Sequence, residues 1–358
     1  MSSISLCMIV KDEEAVLARC LDSIKDFVDE IIIVDTGSTD STKMIAKTFT
    51  ENVFDFNWND NFSDARNYSF SFATSDYIMW LDADDIVPKY TLNELMNLKH
   101  NMTADVYMLK YAVSFLNNKP TFSFYRERIL RNCKKCIWQG CVHECITPFG
   151  KIERLNISIE HHKDKIHDSN RNLNIYKKTL KSRPLNPREQ YYYSRELFDH
   201  KQYKKCITEM RRFINSKQGW VENIIDAHYI IAQCYDKLNM RNKSLQYLLK
   251  TFELDSPRAN ICCKIGDFFM NLQKYDISTF WHKLATNCHD ASTKGGFTEP
   301  FYYNYYPYLQ LCKSYYFLHD IKLSKYYNNL AEEIYPESEV VKQNKLFFKN
   351  ISTNQDKI

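Results

Sequence analysis

The chain has 358 residues, of which 44% are hydrophobic and 26% charged, so it can bury the core of one large domain or of two ordinary ones. A net charge of +4 gives no reason to expect a nucleic-acid partner. No apolar run approaches the length of a membrane span, and the apolar start before Lys11 is too short for a signal peptide, so we expect a cytoplasmic protein with its twelve cysteines as reduced thiols.

Strand and helix patterns alternate at the start of the chain. The runs 5–10 and 30–35 are apolar almost throughout, as expected of strands buried on both faces of a parallel sheet. Apolar residues at helical spacing over 13–27 predict a helix between them. The next predicted elements, in chain order, are a helix over 41–49, a strand over 52–56, a helix ending at Ala73 and a strand over 76–81. This order predicts a doubly wound α/β domain.

Residues 105–160 break the alternation. Strand patterns over 106–115, 122–130 and 155–159 follow one another without long helices between them. We interpret them as the mixed part of the same sheet and as the acceptor side of its ligand crevice. We also interpret residues 138–144 as a strand-like run, in which neighbouring side chains point to opposite faces.

Helical spacing continues from Arg171 to near the end of the chain. Four helix pairs are predicted, over 189–199 with 203–214, 223–238 with 243–253, 258–271 with 275–287, and 305–318 with 322–334. Their aromatic and small residues resemble tetratricopeptide hairpins, which repeat about every 34 residues, with an insertion over 287–304. The predicted organisation is an α/β domain over 1–170, an all-α repeat domain over 171–350 and a disordered tail over 351–358.

Three aspartates follow two of the predicted strands. Asp35 ends the run 30–35, and Asp82 and Asp84 follow the run 76–81. The carboxyl ends of parallel strands meet at the crevice where α/β sheets bind ligands. Carboxylates crowded there repel one another unless a cation joins them, and a divalent ion such as Mn²⁺ or Mg²⁺ bound to diphosphate is the usual one. The alternative role, capping of a helix, fits one aspartate better than three.

Four blocks of the sequence, in this order and spacing, resemble family 2 glycosyltransferases with the GT-A fold: residues 5–14, 29–40, 64–67 and 80–85. In that family the aspartate that corresponds to Asp35 contacts the base of a nucleotide-sugar donor. The first Asp-x-Asp carboxylate, here Asp82, lies near the ribose and base, and the second, here Asp84, binds the metal on the diphosphate. The resemblance also implies that Arg66 lies close to the nucleotide, with a surface ion pair as the alternative.

A further block, residues 138–144, reads WQGCVHE and resembles a segment of a subgroup that joins this domain to helical repeats. Bacterial peptide S-glycosyltransferases that modify bacteriocins belong to that subgroup. Inverting transfer needs a base that takes the proton from the acceptor, and Glu144 is our candidate, with His143 as the nearest rival. A buried structural acid is the alternative for Glu144. A histidine follows the last strand in the same subgroup, which makes His161 a candidate metal ligand, with a structural histidine as the alternative.

Four cysteines crowd around the same block, beginning as Cys-x-x-Cys; they are Cys133, Cys136, Cys141 and Cys145. A zinc site is one interpretation of this spacing. The second pair, however, surrounds residues 143–144, which the glycosyltransferase interpretation already uses. We therefore expect free thiols.

The leading hypothesis is an inverting glycosyltransferase that moves a sugar from a nucleotide-sugar donor, with UDP-hexose implied by the resemblance, to a peptide or protein side chain. The helical repeats would bind this acceptor or form a homodimer. One alternative is a transferase with the same donor site that acts on cell-surface glycans or flagellin. Another is a repeat scaffold with an inactive transferase domain, which the joint presence of Asp35, Arg66, Asp82 and Asp84 disfavours.

Overall fold

The computed structural model describes residues 1–116, 119–162, 170–289 and 299–355. Contacts divide the chain into two compact units, Met1–Tyr193 and Ser194–Ile358. The first unit extends past the predicted boundary at residue 170 because helix α5 (Arg171–Ser182) packs on it. In this contact the Tyr176 hydroxyl donates a hydrogen bond to the carbonyl of Val142 over 3.2 Å.

The described residues of the first unit form ten strands. In chain order they are β1 (Ile4–Val10), β2 (Glu30–Asp35), β3 (Val53–Asp55), β4 (Tyr77–Trp80), β5 (Asp85–Ile86), β6 (Val106–Leu116), β7 (Lys119–Arg131), β8 (Trp138–Gln139), β9 (Cys145–Ile146) and β10 (Ile152–His161). Eight form one sheet in the order β3-β2-β1-β4-β7-β6-β10-β5, and β8 pairs with β9 in a separate ribbon. Strands β3, β2, β1 and β4 are parallel, which confirms the predicted α/β class.

Strand β1 is apolar along most of its length because both of its faces are buried. Leu6 and Met8 point into one core, which the first helix also enters through Leu21. Cys7, between them in sequence, points into a second core with Trp80 and Trp138. Successive side chains of a strand point to opposite faces, so a strand between two cores is apolar at consecutive positions.

The second half of the sheet is mixed, as predicted for residues 105–160. Strand β7 runs antiparallel to both β4 and β6, and β10 runs parallel to β6. The two-residue strand β5 pairs antiparallel with the end of β10, so that Asp85 lies opposite His161. A strand this short has no detectable periodicity, and it has no counterpart among the predicted elements.

Four helices precede α5 among the residues that the structure describes: α1 (Leu17–Ile24), α2 (Thr42–Lys47), α3 (Phe62–Phe70) and α4 (Lys89–His100). Helix α1 is shorter than the predicted 13–27, and α4 has no counterpart among the predicted elements. Helix α3 begins where the Asn61 side chain accepts a hydrogen bond from the Ser63 amide, an N-cap that fixes its first turn.

The predicted helix pairs are present. The helices are α6 (Pro187–Asp199), α7 (Tyr203–Asn215), α8 (Val221–Lys237), α9 (Arg241–Lys250), α10 (Ala259–Asn271), α11 (Tyr275–Thr286), α12 (Tyr305–Phe317), α13 (Ile321–Ile334) and α14 (Glu339–Gln355). Helix α14 continues past residue 351, where the disordered tail was expected to begin; residues 356–358 of that tail lie outside the described residues. Residues 290–298 of the expected insertion also lie outside them. No described helix is long and apolar enough to cross a membrane.

The hairpins between these helices share one turn. Two residues after each first helix ends, one residue has a φ between +58° and +60°; these residues are Lys201, Asn239, Gln273 and His319. The next amide donates back to a carbonyl five residues earlier, as Met240 does to Tyr235. This Schellman pattern satisfies carbonyls that a helix end leaves open. The second and third turns lie 34 residues apart, from residue 239 to residue 273, the spacing of a tetratricopeptide repeat.

Candidate active site

The parallel strands bring the predicted aspartates to one edge of the sheet. In the register of β1 with its neighbours, Val10 lies beside Asp35 of β2, and Cys7 lies beside Trp80 of β4. Asp82 and Asp84 follow directly after β4, so all three carboxylates lie at the carboxyl ends of parallel strands. This edge is where open α/β sheets bind ligands.

Asp35 is buried, and its two carboxylate oxygens differ in their surroundings. Oδ1 accepts hydrogen bonds from the amides of Gly37 (3.0 Å) and Ser38 (2.9 Å). Gly37 has a φ of +102°, a conformation that an L side chain rarely adopts, so the turn that supplies these amides favours glycine. Oδ2 is buried without a hydrogen-bond partner in the part of the chain described. A buried acceptor in this state is suited to a donor on a ligand.

Arg66 of α3 joins two of the predicted site residues. Its Nη2 lies 2.7 Å from Oδ1 of Asp82, and its Nε lies 2.7 Å from Oε1 of Glu144. The guanidinium carbon also lies 5.0 Å from the ring centroid of Trp80 and 4.8 Å from that of Trp138. Burial alone would raise the pKa of Asp82, but the nearby guanidiniums, Arg66 foremost, lower it to about 2. Arg66 is therefore held inside the site, not in a surface ion pair.

Glu144 lies on a loop, and the strand-like interpretation of residues 138–144 is wrong beyond Gln139. Residues 140–144 connect β8 to β9, and His143 adopts a φ of +51°. Helix α3 holds this loop, because the Ser63 hydroxyl donates to the Gly140 carbonyl and the Asn67 side chain pairs with the backbone of β8. This loop is held by contacts with residues distant in the sequence. It therefore has no periodic pattern from which its conformation could be predicted.

His143 and Glu144 have different surroundings. The His143 ring stacks on Tyr192 with 4.4 Å between ring centroids, and its backbone carbonyl accepts from the Arg188 guanidinium. Glu144 instead bonds Arg66, with an exposed fraction of only 12% for its side chain. Of the two, Glu144 is the residue joined to the Asp-x-Asp network.

The structure brings Asp84 and His161 together and adds a neighbour, Asp85. The His161 Nδ1 atom lies 3.3 Å from Oδ1 of Asp84 and 3.3 Å from Oδ1 of Asp85. One ligand atom from each of the three residues lies within 4.8 Å of the others, the one such group of three or more found among the described residues. The pairing of β5 with β10 creates this proximity across more than seventy residues of sequence.

This group has the chemistry of a divalent-metal site. Carboxylate oxygens with one imidazole nitrogen suit Mg²⁺ or Mn²⁺. Burial would lower the pKa of His161, but its hydrogen bonds to Asp84 and Asp85 raise it to about 10. The carboxylates therefore attract a positive charge to this position, and a metal ion would replace the imidazolium proton in that role.

Asp85 of this group forms a fully buried ion pair with Arg128, and neither residue was among the candidate site residues. Nη1 of Arg128 lies 3.0 Å from Oδ2 of Asp85, and the Tyr111 hydroxyl donates to Oδ1 of Asp85 over 2.8 Å. The signal for Asp85 lay in the sequence, since it directly follows the Asp-x-Asp triplet. Arg128 carried a weaker signal, a charged residue inside a predicted strand.

The four clustered cysteines are free thiols in different surroundings. Cys133 is exposed, Cys136 and Cys141 are buried, and Cys145 is intermediate. Burial raises the pKa of Cys136 to about 12. In the described part of the chain they do not form a group of ligands close enough to hold one metal ion.

Parts of the chain are similar to known proteins. Residues 5–155 match the glycosyl transferase family 2 profile. Glycosyltransferase SunS of Bacillus subtilis is 27% identical over 81% of this chain and 71% of its own length. A TPR repeat-containing protein of Synechococcus elongatus is 51% identical over 24% of this chain, but the match spans only 21% of that relative. The crystal structure of S. aureus TarS 1-349 aligns over 69% of this chain and 90% of its own, with 13% identity and a TM-score of 0.41.

Proposed function

We propose that this chain, whose residues 5–155 form a family 2 glycosyltransferase domain of the GT-A type joined to tetratricopeptide-like repeats, is a metal-dependent inverting glycosyltransferase. It would transfer a hexose from a UDP-sugar donor to a side chain of a peptide or protein. The observation that carries this proposal is the meeting of Asp84, Asp85 and His161 beside the Arg66–Asp82 pair at the strand ends.

The donor would bind along this edge of the sheet. The unpartnered Oδ2 of Asp35 is suited to accept a hydrogen bond from an N–H group of the base, and Asp82 with Arg66 would face the ribose and base. Asp84 and His161 would hold Mn²⁺ or Mg²⁺, with the ligand atoms that these ions accept. A metal ion in that place supplies positive charge to the diphosphate as it leaves the sugar.

Glu144 would act as the general base. Its Oε1 accepts from Arg66, which fixes the carboxylate, while Oε2 makes no hydrogen bond to a described residue. That second oxygen can take the proton from an acceptor hydroxyl or thiol that attacks the anomeric carbon from the face opposite the diphosphate. The attack inverts the configuration at that carbon. A thiol acceptor needs the base less, because part of it is already ionised at neutral pH.

The helical domain would bind the acceptor, since stacked helical hairpins commonly bind extended partners. Dimerisation through these helices is the second role we consider, and the molar mass in solution separates it from acceptor binding. We place the reaction in the cytoplasm, because all twelve cysteines are free and reducing compartments keep thiols in that form.

Nucleotide release tests the proposal directly. The protein is incubated with UDP-glucose, UDP-N-acetylglucosamine, GDP-mannose or dTDP-glucose in the presence of Mn²⁺ or of EDTA, and the free nucleotide is measured. We expect release of UDP that stops with EDTA, and faster release when a Cys- or Ser-containing acceptor peptide is added. Mass spectrometry then detects the peptide-bound hexose, and NMR of the product reports the anomeric configuration. No nucleotide release from any donor would contradict the proposal, and transfer only to isolated glycans would favour the alternative acceptor class.

A further inference from the structure

Three aspartates, Asp82, Asp84 and Asp85, lie within the four-residue span 82–85 that follows β4. Two of them are each paired with a buried arginine. Arg66 pairs with Asp82 over 2.7 Å, and Arg128 pairs with Asp85 over 3.0 Å. The Asp84 side chain has no arginine or lysine partner in the part of the chain that is described; its one ion-pair contact is His161, at 3.3 Å. The three neighbours in sequence therefore differ in how much of their charge the protein itself neutralises.

Arg128 is fixed in place more firmly than a surface arginine. In the pairing of β6 with β7, Tyr107 lies opposite Ile129 and Met108 opposite Glu127, so that Arg128 is the extra residue of a β-bulge. A bulge redirects the side chain of its extra residue. The Arg128 side chain is fully buried, and its guanidinium carbon lies 3.8 Å from the centroid of the Trp80 ring and 4.3 Å from that of Tyr111.

Both carboxylate oxygens of Asp85 are already bound to neighbouring groups. Its Oδ2 accepts from Arg128 and from the Asp82 amide, each over 3.0 Å, while its Oδ1 accepts from the Tyr111 hydroxyl and lies 3.3 Å from Nδ1 of His161. A carboxylate whose charge is met by a fixed guanidinium gains less from a metal ion than one whose charge is unmet. Removal of Arg128 would leave the buried Asp85 carboxylate next to Asp84 without a guanidinium, with His161 as the ion-pair partner that the two aspartates share.

We propose that Arg128 is a positioning residue that withholds Asp85 from the metal, so that Asp84, together with His161, is the carboxylate that a divalent cation meets. This inference rests on the proposed function, because it assigns the ligands of the same metal site. It predicts that the identity of the ligating carboxylate depends on the charge at position 128. A purely structural role of Arg128 predicts no such dependence.

The test is a double-mutant cycle on Mn²⁺ affinity, measured with Mn²⁺ alone from the electron paramagnetic resonance signal of the free ion. In the native background, Asp84→Asn should weaken Mn²⁺ binding at least about a hundredfold, because the remaining carboxylate is held by Arg128. In an Arg128→Gln background the same Asp84→Asn change should cost less than about tenfold, since Asp85 is then free to replace Asp84. Equal losses in the two backgrounds would overturn the inference.

Two control variants isolate the charge of Arg128. Arg128→Lys keeps a cation next to Asp85, so Asp84→Asn should again weaken Mn²⁺ binding about a hundredfold in that background. Arg258→Met breaks a buried pair with Glu222 in the helical unit and should leave the cost of Asp84→Asn unchanged. If Arg258→Met reduced that cost as Arg128→Gln does, general destabilisation would explain both, and the inference would be wrong.

If Arg128→Gln alone does not fold, Asp85→Asn provides a second test of whether Asp85 is a metal ligand. Asp85→Asn is combined with Arg128→Gln, because loss of the carboxylate alone would leave the buried Arg128 cation unpaired. The amide at position 85 keeps an oxygen for the Tyr111 hydroxyl, and if Asp85 is not a ligand the Mn²⁺ affinity of this neutral double variant should fall by less than about tenfold. A loss as large as that of Asp84→Asn would overturn the inference. The proposed function and this inference can fail separately. If the native protein binds no Mn²⁺, both are wrong. If it binds Mn²⁺ but the effects of the variants on Mn²⁺ affinity are additive, only the role of Arg128 is wrong.

Discussion

Both units of this protein bury charged side chains, but the two regions use them differently. In the helical unit, Arg258 pairs with Glu222 over 2.9 Å and with Asp255 over 2.7 Å. His282, also buried there, contacts Asp267. In the α/β unit, by contrast, Asp84 has only a histidine partner, and Asp35 has the one buried carboxylate oxygen without a hydrogen bond among the described residues.

The difference shows that burial of charge does not by itself mark a functional site. A buried ion pair whose members satisfy each other stabilises or specifies the fold, often with little net gain in stability. Hydrogen-bond acceptors at the carboxyl ends of parallel strands that have no partner within the protein are instead available to bind a ligand. The predictions below test whether the strand-end residues act on ligands and the helical pair acts on stability alone.

The largest effect is expected from Asp84→Ala. Loss of this carboxylate should abolish Mn²⁺-dependent nucleotide binding and slow transfer at least about a thousandfold, because the metal contributes several kcal/mol to stabilising the departing diphosphate. Isothermal titration of UDP in the presence of Mn²⁺ measures the binding, and circular dichroism checks that the variant is folded. Normal Mn²⁺-dependent turnover by this variant would show that Asp84 is not a metal ligand.

The sequence was informative wherever a residue followed a regular element. The aspartates 35, 82 and 84 lie at strand ends that apolar periodicity predicts, and the helix pairs follow from helical spacing. Arg128 escaped prediction because it lies at a β-bulge, which has no sequence pattern, in a part of β7 where both faces are buried. The contact of Asp85 with His161 depends on the two-residue strand β5, which has no sequence pattern. The sequence therefore could not indicate contacts that depend on the pairing of short or irregular elements distant in the chain.

Glu144→Gln is expected to have the second-largest effect. The amide oxygen can still accept a hydrogen bond from Arg66, so the loop and the donor site should remain intact while the basic carboxylate is lost. Transfer to a Ser-containing peptide should slow at least about a hundredfold, with near-native affinity for UDP, and the loss for a Cys-containing peptide should be smaller. Single-turnover kinetics on the two peptides measures this difference.

His143→Ala is the matched comparison for that prediction. The His143 ring stacks on Tyr192 and is not joined to Arg66 in the described contacts, so its loss should slow transfer by less than the loss of the Glu144 carboxylate. If Glu144→Gln transferred normally while His143→Ala lost turnover but kept donor affinity, His143 would be the base.

A smaller effect on the donor site is expected when the helical unit is removed. A chain that ends after His200 retains the first unit and the whole of α6. It should still hydrolyse the donor in the presence of Mn²⁺, because Asp35, Asp82, Asp84 and His161 are all retained. Transfer to the peptide should fall more than hydrolysis does, since binding energy from distant parts of the acceptor is lost. Transfer at the full-length rate would show that the helices do not bind the acceptor.

The smallest effect on catalysis, and the sharpest test of the comparison, is expected from Arg258→Met. This change leaves the Glu222 and Asp255 carboxylates without their shared guanidinium, and Glu222 is almost fully buried. Breaking this buried ion pair should lower the free energy of unfolding by roughly 3 kcal/mol, which urea denaturation measures. The Mn²⁺ affinity and the kcat for donor hydrolysis should stay within about twofold of the native values, because distant sites act independently. A large fall in Mn²⁺ affinity in folded Arg258→Met protein would mean that buried charge in the helical unit is coupled to the metal site, and the distinction drawn between the two regions would not hold.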